Sequence, residues 1–220
     1  MEEVSKKNPK KDPELVATRT QEIKNWLDKH REQIEKGELI LYIIDECHLL
    51  WGNICGYVWG RTDKRIEVPI VNEKEKQTYF GAVNYQSQEF FLKAYPTANG
   101  EHTIDFINYL RAHHPNKRIA IIWDGASYHK GKEFQAYLQS LNQDKTSSDS
   151  WLVTCLLFAP NAPEQNPVED IWLQAKNFVR QFYCFGSTFA KVKRLFELVT
   201  HRQVFNFPKL HKSAAFSQII

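Results

Sequence analysis

The chain has 220 residues, 42% of them hydrophobic, 13% aromatic and 25% charged, which is enough apolar material for a full core and excludes a disordered chain. No apolar run approaches the roughly 18 residues of a membrane span, and residues 1–7 lack the hydrophobic segment of a signal peptide, so a cytoplasmic protein with no membrane partner is expected. The net charge of +3 hides a split: positions 171–220 carry eight Lys/Arg against one acid, while positions 1–170 carry 21 against 25.

Residues 1–11 are Lys-rich and polar with little to bury, as in a linker. Asp12 and Pro13 can start a helix as cap and first-turn proline, and Leu15, Val16, Ile23, Trp26, Leu27 and Ile34 then recur at helical spacing up to Gly37. That amphipathic helix is expected to pack rather than to read nucleic acid. From Glu38 the pattern changes to short β-branched and aromatic runs, predicting strands over 39–45, 52–60, 78–85 and 89–95 joined by polar turns. A helix over 102–113, a strand over 118–124, a helix over 130–141, a polar loop over 142–150, a strand over 151–158 and helices over 167–182 and 188–204 complete the order. A meander followed by alternating strands and helices predicts an α/β fold with a mixed sheet covered by helices on its faces. Cys47, Cys55, Cys155 and Cys184 show no metal-site spacing and read as reduced, mostly packed thiols.

Three acids stand out. Asp45 closes the apolar run 39–44, Asp124 closes the run 119–123, and Glu169 opens the helix that follows the run 151–158. Side-by-side strands would bring them together at one sheet edge, where ligands of such sheets collect. Each acid also has an ordinary role open to it: Asp45 and Asp124 as turn acceptors, and Glu169 in a capping box with Asn166 and Pro167. No structural need gathers all three. Two carboxylates about 4 Å apart repel by roughly 4 kcal/mol at an effective dielectric of about 20, so the cluster calls for cations. Oxygen-only ligands favour Mg²⁺ or Mn²⁺, and two such ions can drive an in-line displacement at phosphorus. Asp170 competes with Glu169, but one helical step turns a side chain by about 100°. His48 and His129 are possible accessory groups. Lys130, and Lys176 and Arg180 on the face of Glu169, with Lys191, Lys193 and Arg194 in the basic C-terminal part, are candidate contacts to a DNA backbone.

The segments Ile43-Ile-Asp-Glu-Cys-His48, Trp123-Asp-Gly-Ala-Ser-Tyr-His-Lys130 and Phe158-Ala-Pro-Asn-Ala-Pro-Glu-Gln-Asn-Pro-Val-Glu-Asp-Ile-Trp172 resemble the three catalytic blocks of DDE transposases of the Tc/mariner superfamily, in particular its bacterial insertion-sequence (six-thirty) branch. The resemblance runs from about residue 36 to 186. It implies a ribonuclease H-like mixed five-stranded sheet, with Asp45, Asp124 and Glu169 as a catalytic triad holding two Mg²⁺ or Mn²⁺ ions. It also implies cleavage of double-stranded DNA at element ends, strand transfer to target DNA, and a homodimer on DNA in the cytoplasm, associated with the nucleoid.

The chain departs from that pattern in three ways. Gly125 stands where family members often have Asn, 44 residues separate Asp124 from Glu169, and a single helix precedes residue 38 where the family carries helix-turn-helix domains. The expected organisation is a linker and helix over 1–37, a catalytic domain over 38–186 and a basic helical extension over 187–220, with a separately encoded DNA-binding part as partner. The alternatives are a same-fold nuclease acting on hybrid or branched nucleic acid, and a non-catalytic DNA-binding or subunit-interaction remnant.

Overall fold

Asp12 starts the first helix as its sequence predicts. Its carboxylate accepts from the backbone nitrogens of Glu14 and Leu15 at 3.0 and 3.2 Å, with Pro13 in the first turn where no N–H is needed. This helix, α1 (Pro13–Glu35), buries Ile23, Leu27, His30 and Ile34. The structure is a computed structural model that describes residues 12–51, 63, 75–145, 147–182, 188–202 and 205–206. The strand expected over 52–60 lies outside the described residues, as do Cys55 and Cys184.

The strands are β1 (Leu39–Leu50), β2 (Lys76–Asn84), β3 (Phe90–Tyr95), β4 (Arg118–Trp123) and β5 (Val153–Leu157). The helices after α1 are α2 (Gly100–His113), α3 (Lys132–Asn142), α4 (Val168–Gln181) and α5 (Phe189–His201). One sheet of order β3-β2-β1-β4-β5 results, antiparallel across β3, β2 and β1 and parallel across β1, β4 and β5. Among the described residues this is the mixed five-stranded sheet that the family resemblance implies.

β1 is central, and side chains alternate across it. Leu39, Leu41, Ile43, Cys47 and Leu49 pack under α1, α4 and α5, against residues such as Leu27, Ile171 and Phe196. Ile40, Tyr42 and Ile44 face α2 and α3 and meet Phe106, Ile107 and Phe134. Burial on both faces explains why β1 and β4 read as unbroken apolar runs. No helix among the described residues is long and apolar enough to cross a membrane.

The sequence pattern ends the first strand at Asp45, whereas β1 continues to Leu50. Two partners share it: β4 pairs with Leu39 to Ile43 and stops, while β2 pairs with Tyr42 to Leu50. Asp45 therefore lies mid-strand, at the point where the parallel neighbour has run out. Apolarity drops there because one flank of the strand is open.

Candidate active site

Ile43 pairs with Ile122 in the parallel register, so two further residues set Asp45 level with Asp124, the first residue beyond β4. Glu169 comes from the first turn of α4, above them. The chain reaches α4 through a tight loop in which Gln165 accepts from Ala159 N at 2.9 Å and donates to Thr20 Oγ1 of α1 at 2.7 Å. Asp45, Asp124 and Glu169 line one cleft of about 480 Å³.

The ordinary roles open to these acids are realised only in part. The Asn166 side chain accepts from Val168 N at 3.1 Å, but the Asn166 N–H donates to Pro163 O at 3.1 Å, so no capping box needs the Glu169 carboxylate. Asp124 does accept from Ala126 N through Oδ1 at 3.0 Å, an Asx turn, and is otherwise exposed to the cleft. Asp170 is buried, and it is Glu169 that faces the cleft.

The electrostatics of the cleft centre on Asp45. Burial, followed by the charges of Glu169, Glu46 and Asp124, holds its carboxyl well above the usual aspartate range, while a hydrogen bond from Trp172 opposes the shift. Trp172 Nε1 donates to Asp45 Oδ2 at 3.0 Å. Three carboxylates lining one cleft, with the Asp45 carboxyl desolvated by burial, Glu169 half-buried and Asp124 exposed, supply hard oxygen donors, the kind that Mg²⁺ or Mn²⁺ takes.

On the other face of β1, Glu46 meets His129, whose ring stacks on Trp123 with centroids 3.8 Å apart and planes 5° off parallel. His129 Nε2 lies 3.2 Å from Glu46 Oε1, and Nδ1 lies 3.2 Å from the Asp124 carbonyl oxygen and 3.6 Å from Asp124 Oδ1. Glu46, Asp124 and His129 thus present ligand atoms within 4.8 Å of one another. The two acids meet different ring nitrogens, so the imidazole bridges them rather than sharing one ion with both. Tyr128 also bonds to Glu46, and burial together with these carboxylates pushes its phenol up.

The remaining candidates divide. Lys130 lines the cleft, and its Nζ lies 3.5 Å from where a Cβ on Gly125 would stand. Lys176 points at the sheet and bonds to the Cys47 thiol, which burial pushes up to about 11. Arg180 donates to Asn177 Oδ1 at 2.9 Å. Lys191 and Arg194 are exposed on α5, and Lys193 sits over the Phe189 ring. None of these five lines the cleft. His48 is exposed, bonds to Thr78 Oγ1 at 3.0 Å and is not brought to the cleft.

The sequence patterns single out neither Glu46 nor Arg19. Leu15 and Arg19 of α1, a helix expected only to pack, form part of the cleft wall. Trp172 falls on the apolar face of its helix and reads as core, but its position three residues after Glu169 puts it on the same side of α4.

A family model described as DDE superfamily endonuclease matches residues 40–188. The Mos1 transposase paired-end complex with left transposon end has the same fold, with a TM-score of 0.61 and 11% identity over 100% of this chain and 66% of that one. The Mos1 transposase catalytic domain with Raltegravir and Mn gives 0.59 and 12% identity over 96% of both chains. The same domain with Raltegravir and Mg gives 0.57 and 12%, over 96% of this chain and 95% of that one. The chain thus spans about two thirds of the transposase in the paired-end complex and nearly the whole of its catalytic domain. The fold is the ribonuclease H-like one. Among curated proteins nothing matches the chain.

Proposed function

Because the chain belongs to the DDE superfamily of endonucleases, we propose that it is the catalytic domain of a Tc/mariner-type transposase of the bacterial insertion-sequence branch, cutting DNA at element ends and joining the freed 3′-hydroxyl to target DNA. The observation that carries this reading is the single cleft lined by Asp45, Asp124 and Glu169, which come from three separate elements. In this proposal the three carboxylates hold two divalent ions, Mg²⁺ or Mn²⁺. Bound there, the ions supply activation of the attacking water or hydroxyl and stabilisation of the departing oxygen.

The other residues of the cleft have roles that follow from their contacts. Trp172 fixes the direction of Asp45 by donating to Oδ2. His129, held between Glu46 and the Asp124 carbonyl, fixes the turn that carries Asp124. Lys130 and Arg19 bring positive charge to the wall of an otherwise acidic cleft, where a phosphodiester must enter against repulsion. The basic side chains of α5 would hold DNA further out. Double-stranded DNA, a second copy of the chain and a helix-turn-helix part are the partners of this reading.

The test is nicking of a plasmid carrying element ends, with Mn²⁺, Mg²⁺ or chelator. Nicking and strand transfer are expected with metal only, and Asp45→Asn, Asp124→Asn and Glu169→Gln should each abolish both. Metal-dependent nicking that survives Asp124→Asn would overturn the assignment. Salt-sensitive DNA binding indifferent to metal would identify a non-catalytic remnant, and preference for hybrid or branched substrates a nuclease of the same fold.

A further inference from the structure

A second groove, larger than the acidic cleft at about 640 Å³, runs between α3 and the outer strand β5. Lys130 and Leu157 line both, so cleft and groove join at that point. From Leu157 back to Val153 the groove follows β5 for about 13 Å at the usual strand rise, with Lys145 and Trp151 at its far end. Its floor is apolar, its α3 side carries the carboxamides of Gln135 and Gln139, and no carboxylate among the described residues lines it.

The far end is built before anything binds. Trp151 is 38% exposed, yet its backbone is tied on both sides: its N–H donates to Ser148 O at 3.3 Å and its carbonyl accepts from Arg118 Nε at 3.3 Å. The Asn142 side chain clamps the start of β5 to the end of α3, accepting from Leu152 N at 2.9 Å and donating to Val153 O at 3.0 Å. An exposed indole on a fixed backbone is a flat apolar plate that costs little entropy to use.

Lysines at both ends match a run of phosphates, carboxamides match the mixed donors and acceptors of nucleobase edges, and the indole matches a base face. A duplex keeps its base faces stacked inside, so only unpaired bases can use such a plate. We propose that this groove binds an unpaired stretch of nucleic-acid strand leaving the acidic cleft past Lys130. The inference rests on the nucleic-acid reading of that cleft, and it adds a subsite that separates single strand from duplex.

The experiment measures, in EDTA, the affinity of the full chain for a single-stranded oligonucleotide and for the blunt duplex of the same sequence. Trp151→Ala should weaken single-strand binding about fivefold or more, the usual loss for one stacked base, and leave the duplex unchanged. Trp151→Phe should restore most of the loss, and Lys145→Glu should weaken single-strand binding and flatten its salt dependence. Equal loss for both substrates, or none, overturns the proposal, as does a change confined to self-association, which would assign the groove to protein. Metal-dependent nicking is read in parallel. Nicking by the wild type without Trp151-dependent single-strand binding overturns the groove alone, whereas Trp151-dependent binding without nicking overturns the endonuclease reading alone.

Discussion

Trp172 reaches Asp45 across a gap that Gly81 leaves open. Gly81 is the cross-strand partner of Asp45, on the same face of the sheet, and a Cβ there would fall 2.4 Å from Cη2 of Trp172 and 2.6 Å from Cζ of Phe90. Both contacts are with packed rings that cannot swing aside cheaply, so Gly81→Ala is expected to cost about 1–3 kcal/mol by overpacking and to dislodge the indole from Asp45. Trp172→Phe keeps an aromatic ring on that face while removing the N–H donor together with part of the indole's packing volume. It should lower nicking about tenfold or more, the loss expected for a hydrogen bond to a charged group, with a smaller effect on melting temperature. Nicking rates and thermal melts of the two variants check this; full activity in Trp172→Phe would reduce the bond to packing.

Asp45 also sets a pH dependence with a definite sign. Its folded-state pKa is raised above the ordinary 3.8 by burial and by the charges of Glu169, Glu46 and Asp124. Below the ordinary value both the folded and unfolded chains hold the proton, and no penalty arises. As pH climbs through the window up to the raised value, the unfolded chain releases its proton while the native one retains it, so the metal-free protein loses stability. Above the window the loss is complete and constant. Asp45→Asn removes this contribution and still offers Trp172 an acceptor. Melting curves in EDTA should show the variant gaining on the wild type as pH rises above about 4, by about 2–4 °C for each kcal/mol relieved. A variant that melts below the wild type at every pH would give Asp45 a structural role instead.

Divalent metal should act in the opposite direction to that repulsion. An ion held by the folded cleft and not by the unfolded chain stabilises by about 2.7 kcal/mol at one hundred times its dissociation constant. Adding Mn²⁺ or Mg²⁺ to the wild type should raise its melting temperature, and chelator should reverse the rise. Asp124→Asn and Glu169→Gln should melt at or above the wild type without metal and gain little from it. An equal gain in all three proteins would place the ions elsewhere.

Much of this is legible in the sequence, because the features that carry it are local or periodic. Unbroken apolar runs mark β1 and β4 as doubly covered, Asp12 and Pro13 mark a helix start, the acids at 45 and 124 directly follow the apolar runs 39–44 and 119–123, and Glu169 opens the helix after the next run. What is not legible depends on register and on contacts between distant segments. β1 outlasts its parallel partner, and no local pattern records where β4 stops, so the strand is read as ending at Asp45 when only one neighbour ends there. Glu46 looks in the sequence like the exposed neighbour of a candidate site acid. Its partner His129 lies 83 positions away, and only the alternation of β1 turns it to that side. Trp172 and Gly81 fit core and strand patterns singly, and their joint purpose appears only where α4 crosses β2. Arg19 reaches the cleft because the 159–165 loop is pinned to Thr20, a contact between segments 145 positions apart.

The bridge from Glu46 through His129 to Asp124 gives a further expectation. Asp124 is the most exposed of the three acids, and its turn is held from inside by its own Asx bond and by the buried imidazole on its carbonyl oxygen. Glu46 in turn holds the far side of that ring, and no hydrogen bond links Glu46 to Asp124 directly. Glu46→Gln preserves volume and an acceptor but weakens the hold on the ring, so the effect should reach Asp124 as misplacement rather than unfolding. Small displacements at a reacting centre cost about ten- to hundredfold in rate. We therefore expect Glu46→Gln to lower kcat for nicking by about that factor, with KM for DNA and melting temperature little changed and Glu46→Asp recovering part of the rate. His129→Ala removes a buried ring from against Trp123 and should also lose stability, by about 2 kcal/mol or more. The split between kcat and KM in Glu46→Gln separates positioning from packing: an unchanged kcat alongside a lowered melting temperature would mean that the pair only fills space beneath Asp124.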